Sequence, residues 1–285
     1  MLPPIIEFLK DKTVLILGFG REGRSTYNYI RKYLPEKVLG IGDGREQKID
    51  DKFVEYYCGE DYLSHIGKFD IVMKSPGISF VNVDIPDGTY VTCQTDLFMK
   101  YAPCKKIGVT GSKGKTTTST LTYKMLCAGG VNCELMGNMG LPVLDYIEEM
   151  RDDKIAVIEL SSHQLEFTRS SPDVSILTNI YEEHLEHYKG GMTGYVNAKL
   201  NIVRHQNENN TFIYNGTQGV APYLDLNEVK STAIAVEKDA YLPFEIENIH
   251  LAGEHNRHDV LYAFTAASKF GVTAESAKKA IDDFE

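Results

Sequence analysis

The chain has 285 residues, of which 42% are hydrophobic, so it is long enough to bury one large core or, as we expect, two. Its formal net charge of -10 argues against a nucleic-acid or membrane surface, because such partners need a basic patch. Five cysteines without a C-x-x-C pair argue against a zinc knuckle, and an N-terminus without a basic region or a long apolar stretch predicts no signal peptide. We therefore expect a cytoplasmic protein with reduced thiols and no membrane span.

The N-terminal stretch predicts a parallel α/β unit with a glycine-rich turn. A continuous apolar run over residues 13–17 leads into the G-x-G-x-x-G turn of residues 18–23 and then into a helical stretch. Asp43 follows about 20 positions on, where dinucleotide-binding folds carry an acid that meets a ribose. The turn is compatible with a nicotinamide cofactor, with the diphosphate of a nucleotide sugar, or with a purely structural role.

A second turn follows another apolar strand of the same unit and contains Ser75, Pro76 and Gly77. Ligands of open parallel sheets bind at the carboxyl edge of the strands, so Ser75 and Gly77 are candidates to face the same diphosphate as residues 20–24. The alternative is an ordinary surface turn. The unit closes near Pro103, and a single mononucleotide half of this size counts against a nicotinamide cofactor.

Residues 107–120 predict a phosphate-binding loop around which the chain is organised. An apolar run ends in glycine-spaced residues and then a helical stretch, a setting in which backbone N–H groups and the helix start bind phosphate. Lys115 is placed to reach terminal phosphates, and the Thr116 hydroxyl is placed to hold magnesium. Val109 stands where the general pattern has a glycine. We predict that the loop binds a nucleoside triphosphate; the alternative is a glycine-rich turn before a core helix.

Two positions after predicted strands carry side chains suited to metal binding. Glu159 lies near the end of a buried run, one strand from the phosphate loop, and is interpreted as a magnesium ligand rather than a capped structural acid. His184 is the candidate within an acidic segment that is otherwise solvated. His184 and His187 do not fit an H-E-x-x-H zinc motif, because they are three apart and the acid after the first is missing. Lys199, beside apolar neighbours, is by default a solvated or snorkelling lysine.

The predicted fold class is α/β, with an N-terminal half-Rossmann parallel-sheet domain and a central P-loop ATPase-like domain. Residues 211–250 are expected to add a small antiparallel patch, since short β-prone segments alternate there with turn residues. We place the domain boundary just before the strand that feeds the phosphate loop, which gives domains over residues 1–103 and 104–285.

Taken together and in order, these segments resemble the ATP-dependent Mur ligases of bacterial peptidoglycan synthesis. The resemblance runs from about residue 13 to the end of the chain and is greatest for ligases that add D-glutamate to UDP-N-acetylmuramoyl-L-alanine. The motifs that carry it are residues 18–25, Asp43 with Arg45, residues 75–78, 110–117, 137–140, 159–165, 179–184, 198–200 and 253–256. The reaction that it implies begins with attack of the substrate carboxylate on the γ-phosphate of ATP. The amine of D-glutamate then displaces phosphate from the acyl phosphate and leaves an amide.

The resemblance also implies a role for each matched position. The uridine diphosphate half of the substrate would be held by Gly20, Arg21, Ser25, Asp43, Arg45, Ser75 and Gly77. The rest of the substrate would lie near Asn138, Ser161, Gln164 and His184. ATP would be bound by Gly111, Ser112, Lys113, Gly114, Lys115, Thr116, Thr117, His255 and Asn256. Two magnesium ions would be held by Thr116, Glu159, His184 and Lys199, the last as a carbamylated lysine. Lys115, His184 and Lys199 would be the catalytic residues.

Two residues depart from the family pattern. Asp259 stands where relatives often carry a second asparagine near the adenine, and His163 is more typical of a sister ligase that adds a diamino acid or lysine. The chain ends where the third family domain, which binds the incoming amino acid, should begin. We therefore expect a truncated, monomeric chain with nucleotide-sugar binding intact and ligation absent or very weak.

Three other functions remain open at this stage. The first is the Mur ligase that joins L-alanine to UDP-N-acetylmuramate, against which the run over residues 159–164 argues. The second is a non-catalytic nucleotide-sugar binding protein that kept the pockets alone. The third is a nicotinamide oxidoreductase, which predicts NADH binding at residues 18–23.

Overall fold

The computed structural model describes residues 2–137, 142–217 and 219–284. The elements around the first sheet are α1 (Pro4–Leu9), β1 (Val14–Leu17), α2 (Arg21–Tyr33), β2 (Leu39–Asp43), β3 (Val54–Cys58), β4 (Ile71–Lys74), β5 (Tyr90–Thr92) and α3 (Gln94–Tyr101). The five strands lie in the order β3-β2-β1-β4-β5, and all four pairings are parallel. β1 is the central strand and is fully buried, which explains its continuous apolar sequence.

The second sheet is larger and also parallel. Its elements are β6 (Lys105–Thr110), α4 (Lys115–Ala128), β7 (Cys133–Gly137), α5 (Val143–Tyr146), β8 (Ile155–Glu159), α6 (Ser162–Leu165), β9 (Val174–Leu177), α7 (Met192–Arg204), β10 (Thr211–Asn215), β11 (Thr232–Val236), α8 (Glu254–Ser268) and α9 (Ala274–Asp282). The strand order is β11-β10-β9-β6-β8-β7, so the strand that feeds the phosphate loop lies inside the sheet. The predicted α/β class with two parallel-sheet units is confirmed.

The predicted antiparallel patch is wrong. β10 and β11 pair in parallel, with Thr211 opposite Thr232 and Asn215 opposite Val236. The connection between them contains two short 3₁₀ turns, Ala221–Tyr223 and Leu226–Glu228, and crosses over to the same end of the sheet. The third β-prone segment, residues 244–247, is not a strand. Short β-prone runs between turn residues resemble hairpins in sequence, and only the crossover distinguishes the two arrangements.

The two sheets are held against each other by polar contacts as well as by apolar packing. The Ser25 hydroxyl on α2 donates to Asp145 Oδ1 at 2.6 Å, and Lys32 on the same helix pairs with Glu148 at 2.5 Å. The predicted domain boundary at residue 103 falls between α3 and β6 and stays a prediction. None of the described helices is both long enough and apolar enough to cross a bilayer.

The glycine-rich turn of the first sheet requires a small residue at Gly23. A Cβ built there would lie 2.1 Å from the Gly18 carbonyl oxygen, whereas a Cβ on Gly20 would meet nothing within 4 Å. We expect Gly23→Ala to lower the free energy of unfolding by about 3 kcal/mol, because the helix must move away from the turn. Urea unfolding measures this loss, and Gly20→Ala is the matched control, expected to change stability by less than about 0.5 kcal/mol. Equal stabilities of the two variants would contradict the contact.

Candidate functional site

The phosphate loop connects β6 to α4 and is shaped by two glycines. Gly114 has φ +82°, a left-handed conformation that favours glycine. At Gly111 a Cβ would lie 1.9 Å from Thr178 Oγ1, so the loop can pack on the end of β9 only without a side chain. Thr178 Oγ1 donates to the Lys113 carbonyl at 2.6 Å and fixes the loop in this position. The strand–loop–helix setting predicted for residues 107–120 is therefore present.

Lys115, the first residue of α4, folds back over the loop. Its ammonium donates to the carbonyls of Gly111 and Ser112, both at 2.9 Å. Burial lowers the pKa of Lys115, and the charges of Glu159 and Glu183 oppose that shift. A phosphate in the loop would supply stronger acceptors for this ammonium than the two carbonyls do.

Thr116 and Glu159 meet as the sequence predicts. The Thr116 hydroxyl donates to Glu159 Oε2 at 2.9 Å, at the end of β8, and the carboxylate is 1% exposed. Two hard oxygen atoms beside the phosphate loop are suited to Mg²⁺, which prefers few protein ligands and completes its shell with phosphate and water. In the described part of the chain no group of three or more His, Cys, Asp or Glu side chains could hold a metal ion, so a magnesium site here would depend on the nucleotide for further ligands.

Lys199 is buried, which corrects its interpretation as a solvated or snorkelling side chain. It lies on α7, is 1% exposed, and its ammonium donates to the Gly111 carbonyl at 2.8 Å. Burial and the nearby charge of Lys115 lower the pKa of Lys199 to about 7, and the charge of Glu183 opposes this shift. Lys115 and Lys199 therefore both donate to the Gly111 carbonyl. At neutral pH a large fraction of Lys199 is an uncharged amine.

His184 has an unusual backbone. Among the described residues it is the one non-glycine with positive φ, at 55°, and it begins the 3₁₀ turn Leu185–His187. Its ring lies 5.1 Å from that of His163, which in turn is 4.1 Å from the ring of His187. Burial and these two histidines lower the pKa of His163 to about 4, so this ring is uncharged at neutral pH. The exposed side chain of His184 thus lies near the half-buried, neutral ring of His163.

The start of α8 brings His255 and Asn256, which the resemblance assigns to ATP, close to the phosphate loop. They share a cavity of about 280 Å³ with Lys113, Gly114, Thr117 and Asn179. Asn256 donates to the Ala252 carbonyl at 3.0 Å, which orients its amide. Ser112 is different, because its hydroxyl is buried against Tyr195 and Tyr181 rather than turned to this cavity.

Asp259 is a site residue whose environment the sequence did not reveal. Its carboxyl is 6% exposed and accepts a hydrogen bond from the Thr118 hydroxyl at 3.0 Å. A Cβ on Gly114 would lie 2.5 Å from Asp259 Oδ1, so the acid lies directly beneath the phosphate loop. Burial raises the pKa of Asp259 to about 7, and the Thr118 hydrogen bond opposes that shift.

This raised pKa predicts how stability depends on pH. The folded chain keeps the Asp259 proton from pH 3.8 to about 7, where the unfolded chain has lost it, so the free energy of unfolding falls as pH rises through this window. Asp259→Asn cannot ionise, and we expect its stability to fall less over the same range. Urea unfolding at several pH values measures how the free energy of unfolding changes with pH in the original chain and in the variant. Burial also raises the pKa of Glu22, but that contribution is common to both proteins.

The matched control for this prediction is Asp152→Asn, which neutralises an exposed acid. It should keep the pH slope of the original chain. Equal slopes in the Asp259→Asn variant and the original chain would contradict the buried, protonated carboxyl.

The carboxyl edge of the first sheet holds the second group of predicted residues. Ser75 donates to the Gly18 carbonyl at 2.7 Å, so the two turns of this sheet touch. Asp43 accepts hydrogen bonds from the backbone N–H groups of Phe19 at 2.7 Å and Arg45 at 2.9 Å. The acid therefore braces the turn, while Gly20, Arg21, Arg45 and Gly77 are exposed along the same edge.

Three other predicted substrate residues have different surroundings. Ser25 is 5% exposed with its hydroxyl on Asp145, and Gln164 is 2% exposed with its amide donating to Glu22 at 3.0 Å. Ser161 and Gln164 form a capping box at the start of α6. The structure thus places the side chains of Ser25 and Gln164 at the contact between the two sheets, while the half-buried Ser161 caps α6. The predicted residue Asn138 lies outside the described residues.

The geometry defines a two-sheet α/β protein with a loop of the phosphate-binding type on its second sheet. The sequence model of the Mur ligase middle domain matches residues 109–261, more than half of the chain. The UDP-N-acetylmuramoylalanine–D-glutamate ligase of Clostridium botulinum (strain 657 / Type Ba4) is 32% identical over an alignment of 308 residues that covers 98% of the chain. The ligase of the same name from Clostridium novyi (strain NT) is 31% identical over 96% of the chain. The chain belongs to the Mur ligase family.

The chain spans 66% and 65% of the lengths of these two relatives.

Solved structures share its fold. The UDP-N-acetylmuramate:L-alanyl-gamma-D-glutamyl-meso-diaminopimelate ligase from Neisseria meningitides has a TM-score of 0.58 at 16% identity and covers 96% of this chain and 98% of its own. The MurF ligase from Thermotoga maritima, solved in complex with ADP, has a TM-score of 0.54 at 14% identity, with coverages of 97% and 64%. Likeness at these identities concerns the fold alone.

Proposed function

We propose that this chain carries the nucleotide-sugar and ATP sites of a ligase that joins D-glutamate to UDP-N-acetylmuramoyl-L-alanine. The observation that carries the proposal is the 32% identity, over 98% of the chain, to a relative named for that reaction. Two separate phosphate-binding geometries in one chain support it, one at the edge of each sheet. Because the chain spans 66% of that relative's length, the part of the reaction that we propose for this chain is the binding of the sugar nucleotide and of ATP.

The first of these sites would hold the uridine diphosphate. Gly20 and Arg21 at the start of α2 and Ser75 and Gly77 on the adjoining turn offer backbone N–H groups, a helix start and a cation along one exposed edge. Three predicted residues of this site remain. Arg45 would add a second exposed cation, Asp43 would act by accepting hydrogen bonds from the backbone of the turn, and Ser25 would act through its hydrogen bond to Asp145 of the second sheet.

The second site would bind ATP on the loop between β6 and α4. Lys115 would leave the carbonyls of Gly111 and Ser112 for the terminal phosphates, and His255 and Asn256 line the neighbouring cavity for the base. Thr116 and Glu159 would hold one magnesium ion, which supplies charge neutralisation and orientation of the phosphates. His184 and Lys199 are the residues we propose for a second ion.

Lys199 would serve this second site as a carbamate. Its uncharged amine can add carbon dioxide and become an anionic oxygen donor, which removes a lysine charge next to Lys115. Attack of the muramoyl-alanine carboxylate on the γ-phosphate builds negative charge, and Lys115 stabilises this charge through a preorganised contact. The amine of D-glutamate would then attack the acyl carbon of the resulting acyl phosphate and displace phosphate, which leaves the amide.

The test is a thermal-shift titration of the chain with UDP-N-acetylmuramoyl-L-alanine and, separately, with UDP-N-acetylmuramate, each with and without magnesium ATP. We expect the L-alanyl compound to raise the melting temperature more, and magnesium ATP to add a further rise. A larger shift with UDP-N-acetylmuramate would favour the L-alanine-adding ligase instead. A shift with the sugar nucleotides but none with ATP would favour a non-catalytic binding protein, and no shift with either would refute the proposal.

A further inference from the structure

Two of the five cysteines lie in contact at the edge of the second sheet. Cys127 is exposed near the end of α4, and Cys133 is half-buried at the first residue of the edge strand β7. Their sulfur atoms are 3.5 Å apart. The other thiols lie elsewhere, with Cys93 and Cys104 buried and Cys58 half-buried on the first sheet.

The backbone between the two cysteines holds this geometry. α4 ends with Gly130 in the left-handed region at φ +76°, the Gly130 N–H donates to the Cys127 carbonyl at 2.9 Å, and the Val131 N–H donates to the Leu126 carbonyl at 2.9 Å. This pair of hydrogen bonds is a Schellman motif, which reverses the chain at a helix end. The reversal returns Cys133 to the last turn of α4, so the contact is a product of ordered backbone rather than of a mobile side chain.

We propose that Cys127 and Cys133 form an oxidisable dithiol, a modification site that closes to an internal disulfide when the protein meets a low-molecular-weight disulfide. The Cys127 thiolate attacks one sulfur of the reagent, forms a mixed disulfide and expels one thiolate. Cys133 Sγ then attacks Cys127 Sγ and expels the second. Two protein thiols are oxidised, one reagent disulfide is reduced to two thiols, and the protons of the cysteines end on the released thiols.

The surroundings assign the order of these steps. Cys127 is exposed and meets the reagent first, while Cys133 is shielded and resolves the adduct. Burial, the Cys127 thiol and Glu134 raise the pKa of Cys133 to about 12, against an opposing effect of Lys154. The other groups at the pair are Tyr123, whose carbonyl lies 3.8 Å from Cys133 Sγ, and the Lys154–Glu134 ion pair at 3.2 Å. Closure should therefore become faster as pH rises.

The bond would join the last turn of α4, the helix that begins at Lys115, to the edge strand of the sheet. A cross-link between positions already in contact removes freedom mainly from the unfolded chain. We therefore expect the oxidised protein to melt at a higher temperature than the reduced protein, whether or not it binds a nucleotide.

The test treats the folded chain with oxidised glutathione and then counts free thiols after denaturation. We expect the five thiols to fall to three, and the peptide that contains both Cys127 and Cys133 to become lighter by two hydrogen atoms without a glutathione adduct. Cys133→Ser should instead accumulate a glutathione adduct on Cys127, because the resolving thiol is gone. The Cys127→Ser variant should not lose two free thiols on treatment with oxidised glutathione, because the thiol that attacks the reagent is absent. Both substitutions are at exposed or half-buried positions, so folding is expected to survive.

Cys58→Ser is the matched control, since it removes a half-buried thiol away from the pair. It should still lose two thiols and gain the same linked peptide. Retention of all five thiols in the original chain, a glutathione adduct that does not resolve, or a covalent dimer on a non-reducing gel would each overturn the proposal.

Discussion

Replacing Lys115 by methionine is expected to weaken binding of magnesium ADP to this chain by roughly 30- to 150-fold, or about 2–3 kcal/mol. Lys115 is the first residue of α4, and its ammonium donates to the carbonyls of Gly111 and Ser112. The charge therefore already lies over the loop in which we propose that the phosphates bind. Methionine keeps the length of the side chain and removes the charge and its donors. Isothermal titration calorimetry with ADP measures the loss.

The control for this variant is Lys124→Met on the same helix. Lys124 donates to the Asp283 carbonyl at 3.4 Å, near the end of α4 that is farther from the loop, so its removal should leave affinity unchanged. An affinity of the Lys115→Met variant equal to that of the original chain would show that this loop does not bind the phosphates. Equal losses in both variants would point to damage of the helix.

Lys199 is expected to take up carbon dioxide as a carbamate, and Lys199→Met is expected to abolish that adduct completely. The reaction needs an uncharged amine, and the pKa of about 7 makes a large fraction of Lys199 uncharged at neutral pH. Carbon-13 NMR in labelled bicarbonate should show one carbamate carbonyl signal. This signal should grow as pH rises through about 7 and fade on acidification, because protonation of the amine reverses the addition.

Lys106→Met is the matched control for this experiment. Burial also lowers the pKa of Lys106, but its ammonium donates to the Ala102 carbonyl at 2.7 Å, away from the phosphate loop. The signal should persist in this variant. A signal that survives in Lys199→Met, or one that Lys106→Met removes, would assign the adduct to another lysine.

Local patterns predicted the parts of the site that lie within one loop and its flanking elements. Glycine spacing after an apolar run was enough to place Lys115 and Thr116, and the acid near the end of the next buried strand was enough to place Glu159 opposite Thr116. These relations follow from parallel-sheet geometry, in which the ends of neighbouring strands meet at one edge.

Contacts between distant segments were not predictable in the same way. Asp259 lies 141 positions from its partner Thr118, and Gln164 lies 142 positions from Glu22, so no local periodicity reports either pair. The burial of Lys199 was also not predictable from its local sequence, because apolar neighbours on a helix are compatible with a snorkelling side chain as well as with a buried one. The parallel pairing of β10 and β11 was missed because it depends on a crossover and not on the strands themselves.

The hydrogen bonds that Ser25 makes to Asp145 and Gln164 makes to Glu22 have a thermodynamic consequence. Any ligand that recruits either side chain must first release a link between the two halves of the molecule. Binding of that ligand and the relative orientation of the two halves are then reciprocally coupled. If one orientation binds the ligand more tightly by a given factor, bound ligand favours that orientation by the same factor.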